Sequence, residues 1–128
     1  MTKVPADILA RAKQLESDSP RSMVAIFAPT GDYLYASQSH RSLLGYTPNE
    51  LIGKNLMRDI IDPQDLPHTQ LAFMDAILHG KSVVIGVNLR HRSGEVSHVR
   101  AEAWYIAEPE TSQAWLLGRA TPAGSDSQ

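Results

Sequence analysis

Apolar positions recur along this chain in two different periods, and the switch between them divides it into elements. In residues 5–16, Ile8, Ala12 and Leu15 fall at i, i+4 and i+7, which predicts a short helix with Pro5 in its first turn. A helix of about 12 residues is marginal alone, so its apolar stripe needs something to pack on. Residues 17–21 (Ser-Asp-Ser-Pro-Arg) break the pattern as a linker. Two apolar runs follow, residues 23–28 and 33–36, separated by Pro29-Thr30-Gly31-Asp32, which together read as a β-hairpin.

Short helices come next, each with its own punctuation. Gly45 closes the run Ser42-Leu43-Leu44, and Thr47-Pro48-Asn49-Glu50 is a capping box ended by Gly53. Asp62-Pro63 opens a further segment that leads into a longer helix over residues 66–79, stopped by Gly80. Projected at 100° per residue, Leu66, Phe73, Ile77, Met74, Leu78 and Leu71 form one apolar arc, with His68, Asp75 and His79 opposite. Gln70 lies about 20° from the centre of that arc, a polar residue placed where burial demands a partner. The last third alternates with period two. Val83, Ile85, Val87 and Leu89 share one strand face, and Arg92-Ser93-Gly94-Glu95 makes a turn. In residues 96–106, Val99, Ala101 and Ala103 oppose His98, Arg100 and Glu102, and residues 114–120 form a final strand. The domain proper spans residues 21–122, after a flanking helix and linker in 1–20. A polar tail in 123–128 is expected to be disordered.

Composition narrows the function classes. The formal net charge of −2, with both signs interspersed, gives no basic surface for phosphates, so nucleic acid is not an expected partner. With no cysteine there are no disulfides, thiolate metal sites or thiol catalysis, in keeping with a cytoplasmic protein. No apolar run approaches the roughly 18 residues of a membrane span, and no membrane association is expected.

Three stretches carry a resemblance. Residues 42–54, Ser-Leu-Leu-Gly-Tyr-Thr-Pro-Asn-Glu-Leu-Ile-Gly-Lys, are similar to the "LLGYSxEELIGK" helix pair of PAS domains. Asp62-Pro63-Gln64-Asp65 resembles that family's "HPDD" turn, and Arg92-Ser93-Gly94-Glu95 its "KDG" hairpin. Their order and spacing cover about residues 23–121. The resemblance implies an α+β fold: a five-stranded antiparallel sheet with short helices on one face enclosing a small-molecule cavity, here with an N-terminal flanking helix. It also implies a sensory or docking role in signal transduction, serving a histidine kinase of a two-component system, a cyclic-dinucleotide enzyme or a transcription regulator. The output lies in an attached domain or a partner protein. Three departures qualify it. Ser37 stands where the family often has asparagine. Arg119-Ala120-Thr121 replaces the signalling "DIT" triplet and lacks its acid. Leu56 occupies the place of the reactive cysteine in the light-sensing "NCRFLQ" motif, which excludes a cysteinyl-flavin adduct.

The expected ligand pocket comprises Gln70, Phe73 and Ile77 of the long helix, Val83, Ile85 and Val87, Ala101 and Ala103, and Ser37. Gln70 is its main polar contact. Ile8 and Leu15, with Trp104 and Ile106 on an otherwise polar strand face and Arg119, are the expected dimer and signalling surface: the helix covers that face either in the same chain or in a dimer mate, and a homodimer is expected. No cofactor or metal is expected. The alternative is a heme sensor using His68, since heme-binding members ligate iron near the start of this helix. Projection, however, puts His68 about 140° from the centre of the apolar arc. A flavin held without a covalent bond is a further cofactor alternative. The remaining histidines read as exposed strand residues, His91 and His98, and a helix C-terminal residue, His79. An enzyme reading would group Asp62, Asp65 and His68 as acid and base, but the two aspartates are explained as turn and N-cap residues, so no catalysis is expected.

Overall fold

The computed structural model describes residues 4–108 and 111–123. Helix α1, Ala6–Asp18, begins after Pro5, whose extended ψ of 149° places it just outside the helix rather than in the first turn. It also runs past Glu16, so Ser17 and Asp18 are helical and not linker; Gln14 holds this last turn by donating to Asp18 at 3.1 Å. Strands β1, Met23–Phe27, and β2, Tyr33–Ala36, pair antiparallel. Helices α2, Ser39–Leu44, and α3, Pro48–Leu51, follow. A π-helical turn at Leu56–Ile60 and a 3-10 turn at Pro63–Asp65 lead into α4, Leu66–His79. Strands β3, Val83–Arg90, β4, Val96–Glu108, and β5, Gln113–Pro122, complete the described chain. The five strands form one antiparallel sheet in the order β2-β1-β5-β4-β3.

Both faces of this sheet are covered, and that explains β1. Every residue from Met23 to Phe27 is buried, because α1 lies on one side and the short helices with α4 on the other. Met23, Ala25 and Phe27 face the helices, and Val24 and Ile26 face α1. Strand β5 divides the same way, with Leu116 and Ala120 inward and Trp115 and Leu117 towards α1.

The local signals in the middle of the chain act as their chemistry predicts. Thr47 and Glu50 form the reciprocal capping box, at 3.3 and 2.9 Å. Gly45 ends α2 at φ +82°, and a Cβ there would lie 2.7 Å from Cε1 of His91. Glycine is therefore required twice, by the left-handed cap and by the β3–β4 hairpin tip that presses on it. That tip is tied down where the Arg92 amide donates to the Leu44 carbonyl at 2.8 Å and the guanidinium pairs with Glu50.

Helix α4 has the expected limits but a different inner face. Thr69, Phe73 and Ala76 are its buried residues, with Leu66 and Ile77 partly buried, whereas Leu71, Met74 and Leu78 are more than half exposed. The buried stripe is turned about 100° from the centre of the apolar arc. Small side chains let the helix approach the sheet, and Phe73 fills what remains, so close packing outweighed the count of large apolar residues. Gln70 is consequently exposed. At the C-terminus the Ala123 amide still donates to the His98 carbonyl at 3.0 Å; the rest of the expected tail, residues 124–128, lies outside the described residues.

Candidate functional site

Between the inner sheet face and α2 to α4 lies a cavity of about 80 Å³. Small residues make the room: Ala25, Ala101, Ala103, Gly118 and Ala120 line it from β1, β4 and β5 and place little bulk there. Val83, Ile85 and Val87 of β3 form one wall, with Phe73 of α4 above them. Phe27 stacks against Tyr33 and Phe73, with ring centroids 4.7 and 6.0 Å apart. It also lies so close to Gly118 that a Cβ there would be 3.1 Å from the ring. Leu56, which stands in place of the light-sensing cysteine, is another hydrocarbon lining residue.

Three expected pocket residues are not on this wall. Gln70 faces outward because α4 is turned, which removes the main polar contact anticipated for a ligand. Ile77 packs on the core beside the cavity. Ser37 is fully buried behind the wall, where its hydroxyl accepts from the Val24 amide at 2.9 Å. His68, the alternative iron ligand, is exposed, and its Nε2 lies 3.2 Å from the Gly86 carbonyl outside the cavity. Asp65 has its carboxylate engaged by the Asn88 amide at 2.6 Å and its carbonyl by the Thr69 hydroxyl at 2.6 Å. Asp62 and Asp65 occupy N-cap positions, but neither side chain makes a cap bond. Asp62 and Asp65 thus both engage the Asn88 backbone, the former through its amide at 2.9 Å, while His68 turns to Gly86.

A polar residue that does line the cavity, and that the sequence pattern does not mark, is His40 of α2, only 3 % exposed. Its signal was available: His40 precedes Leu44 by four residues, so the two share one helix face, and both are buried. Nδ1 lies 3.0 Å from the Ser37 carbonyl, which can only accept, so this nitrogen carries the proton. Burial pushes the imidazole down to about 4, against the weaker upward pull of the Ser37 bond and of Glu16, and the ring is neutral at pH 7. Tyr33 lies edge-on to it with centroids 6.1 Å apart, and burial pushes its phenol up.

From His40 a chain of hydrogen bonds runs to the far side of the sheet. Ser37 Oγ meets Ser39 Oγ at 2.7 Å, and Ser39 Oγ donates to the Ser22 carbonyl at 2.8 Å. The Ser22 hydroxyl meets that of Thr121 at 2.7 Å, at the end of β5. Close by, Arg119 donates from Nη1 to Ser19 Oγ at 2.8 Å and from Nε to Glu102 at 2.7 Å, with its guanidinium 5.6 Å above Trp104. Ile8 and Ala12 of α1 are buried on this outer face, with Leu15, Trp104 and Ile106 half-buried around them, all within one chain.

The family model described as "PAS fold" matches residues 33–120. The chain is 28% identical over 99 residues to the aryl hydrocarbon receptor nuclear translocator homolog of Drosophila melanogaster; the match takes in 76% of this chain but 15% of that protein. Among solved structures, a PAS domain from Colwellia psychrerythraea superposes with a TM-score of 0.75 at 16% identity, covering 91% of this chain and 98% of that one. The Drosophila melanogaster Cycle PAS-B domain with bound glycerol gives 0.74 at 14% identity, covering 79% and 99%. No described helix is long and apolar enough to cross a membrane. Fold and family match agree, and this chain belongs to the PAS fold family of sensory domains.

Proposed function

We propose that this domain senses a small molecule in its apolar cavity and reports it at the joint between α1 and the end of β5. The observation that carries this reading is the series of residues from His40 on the cavity wall through Ser37 and Ser39 to Ser22 and Thr121, each joined to the next by a hydrogen bond. Strand β5 supports it by contacting both sides, since Gly118 and Ala120 line the cavity while Trp115 and Leu117 pack under α1. A ligand that moves His40 or β5 therefore changes contacts that hold α1. The recipient is an attached output unit or partner, such as a kinase, a cyclic-dinucleotide enzyme or a transcription regulator.

The cavity sets the scale of the signal. At about 80 Å³ it lies well below the roughly 300–1,000 Å³ of sites for drug-sized ligands, so it suits a molecule of a few heavy atoms. Xenon is a suitable probe because it fills apolar cavities without hydrogen bonding. Loading the full chain with xenon is expected to shift the amide resonances of Ser22, Thr121 and Ala12 along with the cavity methyl groups. Substituting Ser37→Ala should leave the methyl shifts and abolish those at Ser22 and Thr121. Shifts confined to the cavity in the unaltered protein sink the proposal.

A further inference from the structure

Two residues of the cavity wall carry a polar atom that none of the hydrogen bonds among the described residues engages: His40 at Nε2 and Tyr33 at its hydroxyl. We infer that they form a subsite for a hydroxyl group, holding a short-chain alcohol whose O–H donates to His40 Nε2 and whose oxygen accepts from Tyr33. The inference rests on the reading of the cavity as a sensing site and adds the chemical class of its ligand.

The tautomer fixes the role of the histidine. With its proton on Nδ1 and given to the Ser37 carbonyl at 3.0 Å, the neutral ring presents a lone pair at Nε2. Tyr33 supplies the complementary donor, edge-on with centroids 6.1 Å apart, and each residue is 3 % exposed. A purely hydrocarbon ligand would leave this donor and this acceptor unmet, which is costly. The nearby Thr69 hydroxyl answers neither, because it is committed to the Asp65 carbonyl at 2.6 Å.

Other ligand classes fit less well. A hydroxyl both donates and accepts, so one group satisfies both atoms. A ketone would leave Nε2 unmet, and a hydrocarbon would leave both. A carboxylate or ammonium would meet a lining whose two charged residues, Glu102 and Arg119, already pair with each other at 2.7 Å. Among the described residues no group of three His, Asp or Glu side chains converges, so a metal ion would meet a single nitrogen. Water satisfies the polar pair but gains nothing from the hydrocarbon of Val87, Val99 and Ala103, which an alkyl chain covers.

The full chain, with 15N-labelled histidine, is titrated with 1-propanol and separately with acetone and with xenon. Addition of 1-propanol is expected to move the Nε2 resonance of His40, whereas acetone and xenon leave it in place. In His40→Phe, 1-propanol should bind about tenfold more weakly, with xenon binding unchanged. The inference is overturned if 1-propanol fills the cavity with Nε2 unmoved, or if His40→Phe binds it as tightly as the unaltered protein. The resonance needs no variant and decides the matter even if His40→Phe does not fold. If neither xenon nor 1-propanol shifts the methyl groups of Val87 and Val99, the sensing reading itself fails, and this one with it.

Discussion

A single imidazole links binding to stability at the residue scale. His40 folds as the neutral ring, with its pKa lowered from the ordinary 6.5 to about 4. As pH falls, the unfolded chain takes up the proton first, so folding is progressively disfavoured. The stability due to this ring is complete above about pH 6.5, declines below it and is lost by about pH 4. The loss should reach about 2 kcal/mol by pH 5. Carboxylates act lower down. The Arg119 guanidinium holds Glu102 below the usual carboxylate range, so its contribution is present above about pH 4.5 and falls only beneath that. Denaturant melts at pH 7, 6 and 5 should therefore show a decline that His40→Gln flattens. An equal decline in the variant would assign it to other groups.

The elements show packing overriding pattern in α4. Its largest residues, Leu71, Met74 and Leu78, lie outward, and the contact with the sheet is made through Thr69, Phe73 and Ala76. Two substitutions of opposite expectation follow. Leu78→Gln, at a position 69% exposed, should change stability by less than about 0.5 kcal/mol. Ala76→Leu, at a position with no exposure, should cost about 1–3 kcal/mol by overpacking. Urea midpoints of the two variants check this, and the reverse order would restore the face that the apolar arc predicts. A second element depends on a residue whose partners are distant in sequence. Asn55 caps the π-helical turn through Met57 and Arg58, while its amide donates to the Thr30 carbonyl and to Asp32 at 3.0 and 2.9 Å. One side chain thus ties that turn to the β1–β2 connection.

At the scale of the whole molecule the sheet separates two apolar clusters and joins them through β5. The inner one holds the cavity, and the outer one is closed by α1 over Val24, Ile26, Trp115 and Leu117. The Nε1 of Trp115 is buried there without a hydrogen-bond partner, so the covered state carries a cost that release of α1 relieves. Ile8→Asp places an unpaired charge at a position 3 % exposed in that contact. It should undock α1 while leaving the inner cluster folded. Tryptophan emission is expected to shift to the red, and light scattering to show concentration-dependent association of the bared face, the route by which a homodimer would form. Unchanged emission would mean that α1 does not seal Trp115.

How much of this was legible in the sequence depended on the range of the interaction. The strand faces of β3 and β4, the capping box at Thr47, the glycine stop of α2 and the limits of α4 follow from period and local hydrogen bonding, and these act within a few residues. Phe73, Val83, Ile85, Val87, Ala101 and Ala103 line the cavity on faces that those periods define, the cavity itself being what the family resemblance implies. The rotation of α4, the burial of His40 and the closing of α1 over Trp104 and Ile106 within one chain were decided in the tertiary structure. Hydrophobic content says that a face will be buried but not how closely a partner can approach it. That distance is set by the small residues opposite, Ala25, Ala101, Ala103 and Gly118, which lie far apart along the chain and meet only when the sheet closes.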